Sequence, residues 1–192
     1  MARWEPGARE RLVVAAVDLF TERGYDATTV AQIAERAGVT KSTFFRYFPD
    51  KRDLLAAGQE TLSRLLVEGI AEAPEGASPL TAVAAGLERV SGAMGPVNRE
   101  LAPRLKAAVA ASAELQEREA LKGASLAAAA TQALIDRGVP DPIATVAGEL
   151  GVLAFKRGFA VWSEGGREAT DELAVHTSAA LDELRVATAS LD

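Results

Sequence analysis

The chain contains no cysteine and a single histidine, His176. The first absence excludes disulfides, cysteine-based zinc sites and thiol redox sensing. The second leaves no multi-histidine metal site and no defensible Ser–His–Asp arrangement. Aromatic residues are scarce, at 5%. No apolar run reaches the ~18–20 residues that span a bilayer. The segment "MARWEPGARERL" lacks the apolar stretch of a secretory signal, so a cytoplasmic location away from membranes is expected. Strand signals are missing too, because β-branched runs are short and apolar–polar alternation is never sustained. "VTKST" looks like the end of a phosphate loop, but Glu35 and Thr40 stand where that loop needs glycines. Carboxylates such as Glu117 and Glu119 lie two apart on a helix and point in different directions. No cofactor, metal or enzymatic activity is expected.

What is present is a globular composition, 48% hydrophobic and 25% charged over 192 residues, long enough to bury a core. Two properties are unevenly spread. Residues 1–52 carry 9 Lys+Arg against 7 Asp+Glu, whereas the rest carries 12 against 20, so the net charge of −6 belongs to the later part. Seven of the ten aromatics fall in the first 48 residues, and none lies between Phe48 and Phe155. An acidic body with a mildly basic head suits a protein that meets phosphate through its head alone.

The periodicity predicts about nine helices, hence an all-α fold: a three-helix head over residues 1–50 and a larger helical body over 51–192. The first helix runs from about Pro6 to Arg23, with Gly24 behind it. A short second one starts after Thr28 or Thr29 and stops at Gly38; a third starts at Thr40 and ends before Pro49. A fourth runs from near Asp50 to about residue 73. Ser78 with Pro79 opens the next, which breaks at Gly95-Pro96. The following one is bent or broken by Pro103. Ser112 caps a long helix to Arg137, Asp141 caps another reaching "SEGG", and the last covers Thr170 to Ser190.

The two short helices joined at "AGVT" predict a helix-turn-helix, with Gly38 permitting the turn and Val39 dropping between the helices. Its second helix would offer its N-terminal end to a DNA major groove. The backbone N–H groups after Thr40 attract phosphate there. Thr40, Ser42, Thr43 and Tyr47 add hydroxyls, and Lys41 and Lys51 add charge. Lys41 and Arg46 suit guanine, while the Thr43 methyl or the Phe45 ring suits a thymine methyl. Phe44 and Phe48 share the inner face; Phe45 and Tyr47 turn outward.

The stretch "ERLVVAAVDLFTERGYDATTVAQIAERAGVTKSTFFRYFPDKRDLL" resembles the DNA-binding region of the TetR family of one-component transcriptional regulators. "LF-x-x-x-G-[YF]", "TTV-x-x-IA-x-x-AGV" and "T-[FL]-[FY]-x-[HY]-F-x-x-K" occur in order over residues 10–55. The resemblance implies an all-α homodimer that binds a double-stranded operator, typically as a repressor, until a small molecule occupies the body. By position it implies Lys41, Ser42, Thr43, Phe45 and Arg46 in the groove and Thr28, Thr29, Thr40, Tyr47 and Lys51 on the DNA backbone. Two departures stand out. Ser42 occupies a common glycine position, and Arg46–Tyr47 replace an aromatic–histidine pair, so no base preference transfers. Arg3 either reaches a minor groove or is a plain terminal residue. The rival function is a helical small-molecule carrier or interaction protein that does not bind DNA.

In the body, Ala144, Ala147, Gly151, Ala154 and Gly158 recur at spacings of 3 and 4, as do Leu173, Thr177, Ala180, Leu184 and Ala187. Two glycines on one helical stripe call for close approach of another helix. The family's four-helix dimer interface implies that Gly151, Ala154, Gly158, Thr177, Ala180 and Leu184 face a second copy; packing within one subunit is the alternative. Phe155, Phe159 and Trp162 line a cavity or fill the core. With Met94 and Arg104 as further pocket candidates beside Phe155 and Phe159, the expected effector is apolar and flexible. "FPDKRDLL", at the joint of head and body, is the expected coupling segment.

Overall fold

Alanine-rich amphipathic segments punctuated by glycine and proline build nine α-helices, and no strand, among the residues that this computed structural model describes, 7–165 and 172–190. Arg3, Pro6 and the helix start expected at Thr170 lie outside the described residues.

Local chemistry sets the head. α1 (Ala8–Arg23) buries Leu12, Ala15, Ala16, Leu19 and Phe20 and ends at Gly24. α2 (Val30–Arg36) starts from Thr29, the second of the two threonines considered. Its hydroxyl accepts from the Gln32 N–H, and the Gln32 side chain accepts from the Thr29 N–H at 2.9 Å. Gly38, at φ +67°, makes the turn. α3 (Lys41–Tyr47) follows, with the Thr40 hydroxyl accepting from the Thr43 N–H at 3.1 Å. Phe48 is extended ahead of Pro49 and ends it.

The continuous fourth helix expected from Asp50 is two elements. A 3-10 helix spans Lys51–Ala56, and α4 (Gln59–Ala71) begins only after Gly58 at φ +83°. A left-handed residue cannot sit inside a right-handed helix, so the glycine divides them. α5 (Pro79–Gly92) has Ser78 as its cap. α6 (Pro96–Ala110) runs unbroken through Pro103, and α7 (Ala113–Asp136) starts at Ser112, whose hydroxyl accepts from Leu115 N–H at 3.4 Å. α8 (Asp141–Glu164) is capped by Pro140, one residue earlier than expected; the Asp141 carboxylate accepts from the Thr145 hydroxyl at 3.2 Å. α9 (Leu173–Ala189) closes the fold.

By internal contacts the chain forms two compact units. The first comprises residues up to 57 together with 100–121, and the second comprises 58–99 and 122–192. Residues 51–57, and the parts of α6 and α7 within 100–121, therefore group with the head. Its core is built on Phe20, Tyr25, Phe44 and Phe48 with Leu12, Ile33, Leu54 and Leu115. The second unit packs leucine and alanine from α4, α5, α7, α8 and α9. Its helices meet at glycines. A Cβ on Gly69 would lie 2.6 Å from the Gly86 Cα, and one on Gly158 would lie 2.6 Å from the Thr177 backbone nitrogen. Among the described residues no helix is long and apolar enough to cross a membrane, and no three metal-ligating side chains cluster.

Candidate nucleic-acid interface

α3 is a two-faced helix, as the 3.6-residue period requires. Phe44 is 0% exposed and Phe48 2%, with their rings 5.8 Å apart in the head core. Lys41, Ser42, Phe45, Arg46 and Tyr47 are exposed and Thr43 is half-buried. The outer face is ordered by its inner one. Phe45, 56% exposed, meets Phe44 edge-on at 5.4 Å, and the Arg46 guanidinium sits over the Tyr47 ring at 5.1 Å.

The head's cations divide by what holds them. Arg36 forms a bidentate pair with Glu22 at 2.9 and 2.8 Å, and its hydrogen bonds hold the Glu22 carboxyl below the usual carboxylate range. Arg52 lies 3.4 Å from Asp50. Lys41 has no ion-pair partner among the described residues, and Arg46 has only the ring. Lys41 and Arg46 thus remain open to an incoming anion.

Two residues expected on the DNA backbone are taken up internally. Thr28 is 1% exposed, and its hydroxyl donates to the Gly24 carbonyl at 2.8 Å and lies 3.3 Å from that of Leu19. The Lys51 ammonium donates to the Tyr25 and Thr28 carbonyls at 2.7 and 3.0 Å and stands 4.0 Å from the Tyr25 ring centre. The physical reason is the α1–α2 turn, whose inward carbonyls need donors once buried. Thr29 and Thr40 are exposed, with their hydroxyls capping α2 and α3.

Arg9 was not foreseen. It is exposed, and its guanidinium lies over the Phe48 ring at 5.6 Å, so it adds a cation beside the end of α3. A signal existed. A cation in the first turn of a helix opposes the helix dipole and needs another reason to be there.

Polar contacts tie residues 100–121 to the head. The Tyr25 hydroxyl donates to Glu114 at 2.8 Å; burial, then the adjacent carboxylate, pushes that phenol well above its usual pKa. Arg118 pairs with Asp53, and Arg104 with Asp18. Arg104 was expected in the body's pocket; it belongs to the head unit because Asp18 supplies the charge it needs.

The bacterial regulatory proteins, tetR family, model matches residues 12–57, the segment holding most of α1 and all of α2, α3 and the 3-10 helix. Over these residues the chain is similar to the TetR family. It is 33% identical over 84 residues to the transcriptional regulator TcmR of Streptomyces glaucescens, covering 44% of this chain and 37% of that protein. Over 65 residues it is 37% identical to the transcriptional activator FasR of Mycolicibacterium smegmatis, covering 34% and 30%. The chain thus spans about a third of the length of the curated relatives it matches. The fold extends further. NalD, the secondary repressor of an efflux pump in Pseudomonas aeruginosa, superposes with a TM-score of 0.57 at 21% identity over 92% of this chain and 94% of its own. GusR of Salmonella enterica does so with 0.55 at 18% identity, over 92% and 94%.

In the second unit the small-residue stripe is turned inward, against the dimer expectation. A Cβ on Gly151 would lie 2.5 Å from Val83 of α5, and Gly158 abuts Thr177 of α9. Ala154, Thr177, Ala180 and Leu184 are buried in the same subunit, and the Thr177 and Ser91 hydroxyls lie 3.2 Å apart in its interior. The close approach inferred from the glycines is present, but the approaching helices are the chain's own. The exposed apolar residues of these two helices lie elsewhere: Ile143, Val146, Leu153 and Val161 on α8, Val175 and Val186 on α9.

The pocket candidates also separate. Phe155 joins Leu62, Leu66, Leu87, Val90, Leu126 and Val152 around an apolar recess in the second unit. Phe159 stacks on Phe155 with ring centres 5.9 Å apart and meets Trp162 at a tilt, 5.6 Å away. Met94 packs half-buried against the core without lining the recess.

Proposed function

We propose that this chain is a sequence-specific, DNA-binding transcriptional regulator, a homodimer that represses through a double-stranded operator and releases it when a small molecule occupies the second unit. One observation carries the reading: α3 buries Phe44, the adjoining Phe48 is buried with it, and Lys41, Phe45 and Arg46 are left together on an exposed outer face. In this reading Lys41 and Arg46 donate to guanine, and Thr43 and Phe45 meet thymine methyl groups. Ser42 faces the groove with them, and Thr29, Thr40 and Tyr47 contact the backbone. Thr28 and Lys51 act one step back, by holding the turn that positions α2.

A gel shift with the chain's own upstream region tests this. The expected result is binding that weakens steeply with salt and is lost in Lys41→Ala and Arg46→Ala. Failure to select any sequence from a random pool at low salt overturns it and leaves the carrier reading. Among the relatives FasR is an activator and NalD a repressor; a promoter–reporter fusion with and without the chain decides the direction here.

The dimer face in this proposal is the exposed apolar set on α8 and α9, spanned by the Arg157–Glu183 pair at 3.3 Å. Val146→Asp with Val161→Asp should yield a monomer in sedimentation and weaken operator binding. Asp53, paired with Arg118, and Leu54, buried in the head core, are the coupling positions. Asp53→Asn is expected to keep operator binding and blunt induction; unchanged induction overturns the coupling role.

A further inference from the structure

Four aromatic side chains crowd into residues 44–48, and packing accounts for three of them. Phe44 and Phe48 are buried in the head core, and Phe45 meets Phe44 edge-on. Tyr47 is 38% exposed and takes no part in that core. Among the described residues its ring meets one group, the Arg46 guanidinium, 5.1 Å from the ring centre. We infer that Tyr47 is a positioning residue: its ring holds the Arg46 guanidinium for guanine and so sets how sharply the chain discriminates that base. The inference rests on the reading of the chain as a sequence-specific regulator and deepens it.

Arg46 differs from the other cations of the head in how it is restrained. Arg36 spends two N–H groups on the Glu22 carboxylate, and Arg11 donates its Nε–H to the Ala37 carbonyl. The Lys51 ammonium donates to two carbonyls. Each is held at the cost of its donors, and Glu22 also compensates the charge of Arg36. An aromatic ring attracts a guanidinium through its quadrupole and takes up none of its conventional hydrogen bonds. The N–H groups of Arg46 therefore keep their planar fork for the O6 and N7 acceptors of guanine. A side chain already held also loses less rotamer freedom on binding. The position is compatible with a cation, since Arg46 lies in the last turn of α3. Ring and hydroxyl of Tyr47 thus serve different purposes: the ring holds Arg46, and the hydroxyl meets the DNA backbone.

The test uses the full chain and the duplex it selects from a random pool. Each G·C pair is replaced in turn, and each guanine is also exchanged for 7-deazaguanine, which lacks the N7 acceptor. Arg46→Ala marks the guanine that Arg46 reads, as the position where discrimination disappears. There Tyr47→Leu should lower discrimination about two- to fivefold, the worth of an exposed cation–π contact, and leave the other positions unchanged. Tyr47→Phe keeps the ring and loses the hydroxyl, so discrimination should persist while affinity falls equally for every duplex.

A loss of discrimination in Tyr47→Phe as large as in Tyr47→Leu overturns the inference. So does an Arg46→Ala that weakens every duplex equally, because Arg46 then reads no base. Should Tyr47→Leu fail to fold, proton NMR of the free natural chain decides. Ring-current upfield shifts of the Arg46 δ-protons support the platform, and the shifts of a freely solvated arginine overturn it. Failure to select any duplex sinks the regulator reading and this inference with it. Selection followed by undiminished discrimination in Tyr47→Leu sinks this inference alone.

Discussion

The two units are built by opposite means. The head packs large rings, Phe20, Tyr25, Phe44 and Phe48, and fastens its turns with side chains such as Lys51 and Thr28. The second unit packs small residues, so that α4 meets α5 and α8 meets α9 with backbone against backbone. One is stabilised by volume inserted between helices; the other by volume withheld. They should therefore fail in opposite directions, the head by subtraction and the second unit by addition.

Phe44→Ala is the largest expected loss, about 3–5 kcal/mol for a fully buried ring, read by urea denaturation. A loss below 1 kcal/mol would mean that the ring is not the keystone of the head. Gly69→Ala and Gly158→Ala come next, about 1–3 kcal/mol each, since the added methyl meets backbone atoms that cannot turn aside. Gly151→Ala meets only a Val83 methyl and should cost less than either; the reverse order breaks the comparison.

Thr40→Ala removes the α3 cap and should cost about 1 kcal/mol, with operator affinity falling alongside. Tyr25→Phe gives the smallest effect, a small loss that is constant up to about pH 10 and fades in alkali. The folded phenol titrates well above its ordinary value of ~10. Its contribution is thus fully present below about pH 10 and is lost as pH rises beyond. Urea midpoints between pH 8 and 11 should fall more steeply for the natural chain than for Tyr25→Phe.

How readable each region is follows from the same contrast. Gly38, Thr40 and Pro49 bound α3 by interactions within one turn, and these are visible in the residues themselves. Phe44 and Phe48 were assigned inward, and Phe45 and Tyr47 outward, from period alone. Lys51 defeated the reading because its acceptors lie 26 and 23 residues away. Arg104 did so because its carboxylate is Asp18, 86 residues away. Gly58 was in plain view, but glycine is tolerated inside helices, and only its positive φ marks the break between the 3-10 helix and α4.

By itself the sequence determined the helical class, the helix-turn-helix with its caps and inner and outer faces, and the demand of Gly151 and Gly158 for a close neighbour. Only the tertiary structure decided who that neighbour is. A missing side chain states that something must come near, and a second copy or the chain's own α5 and α9 meets that requirement equally well. Distances through space, which no local pattern encodes, assigned the glycines to the interior and left the valines of α8 and α9 outside.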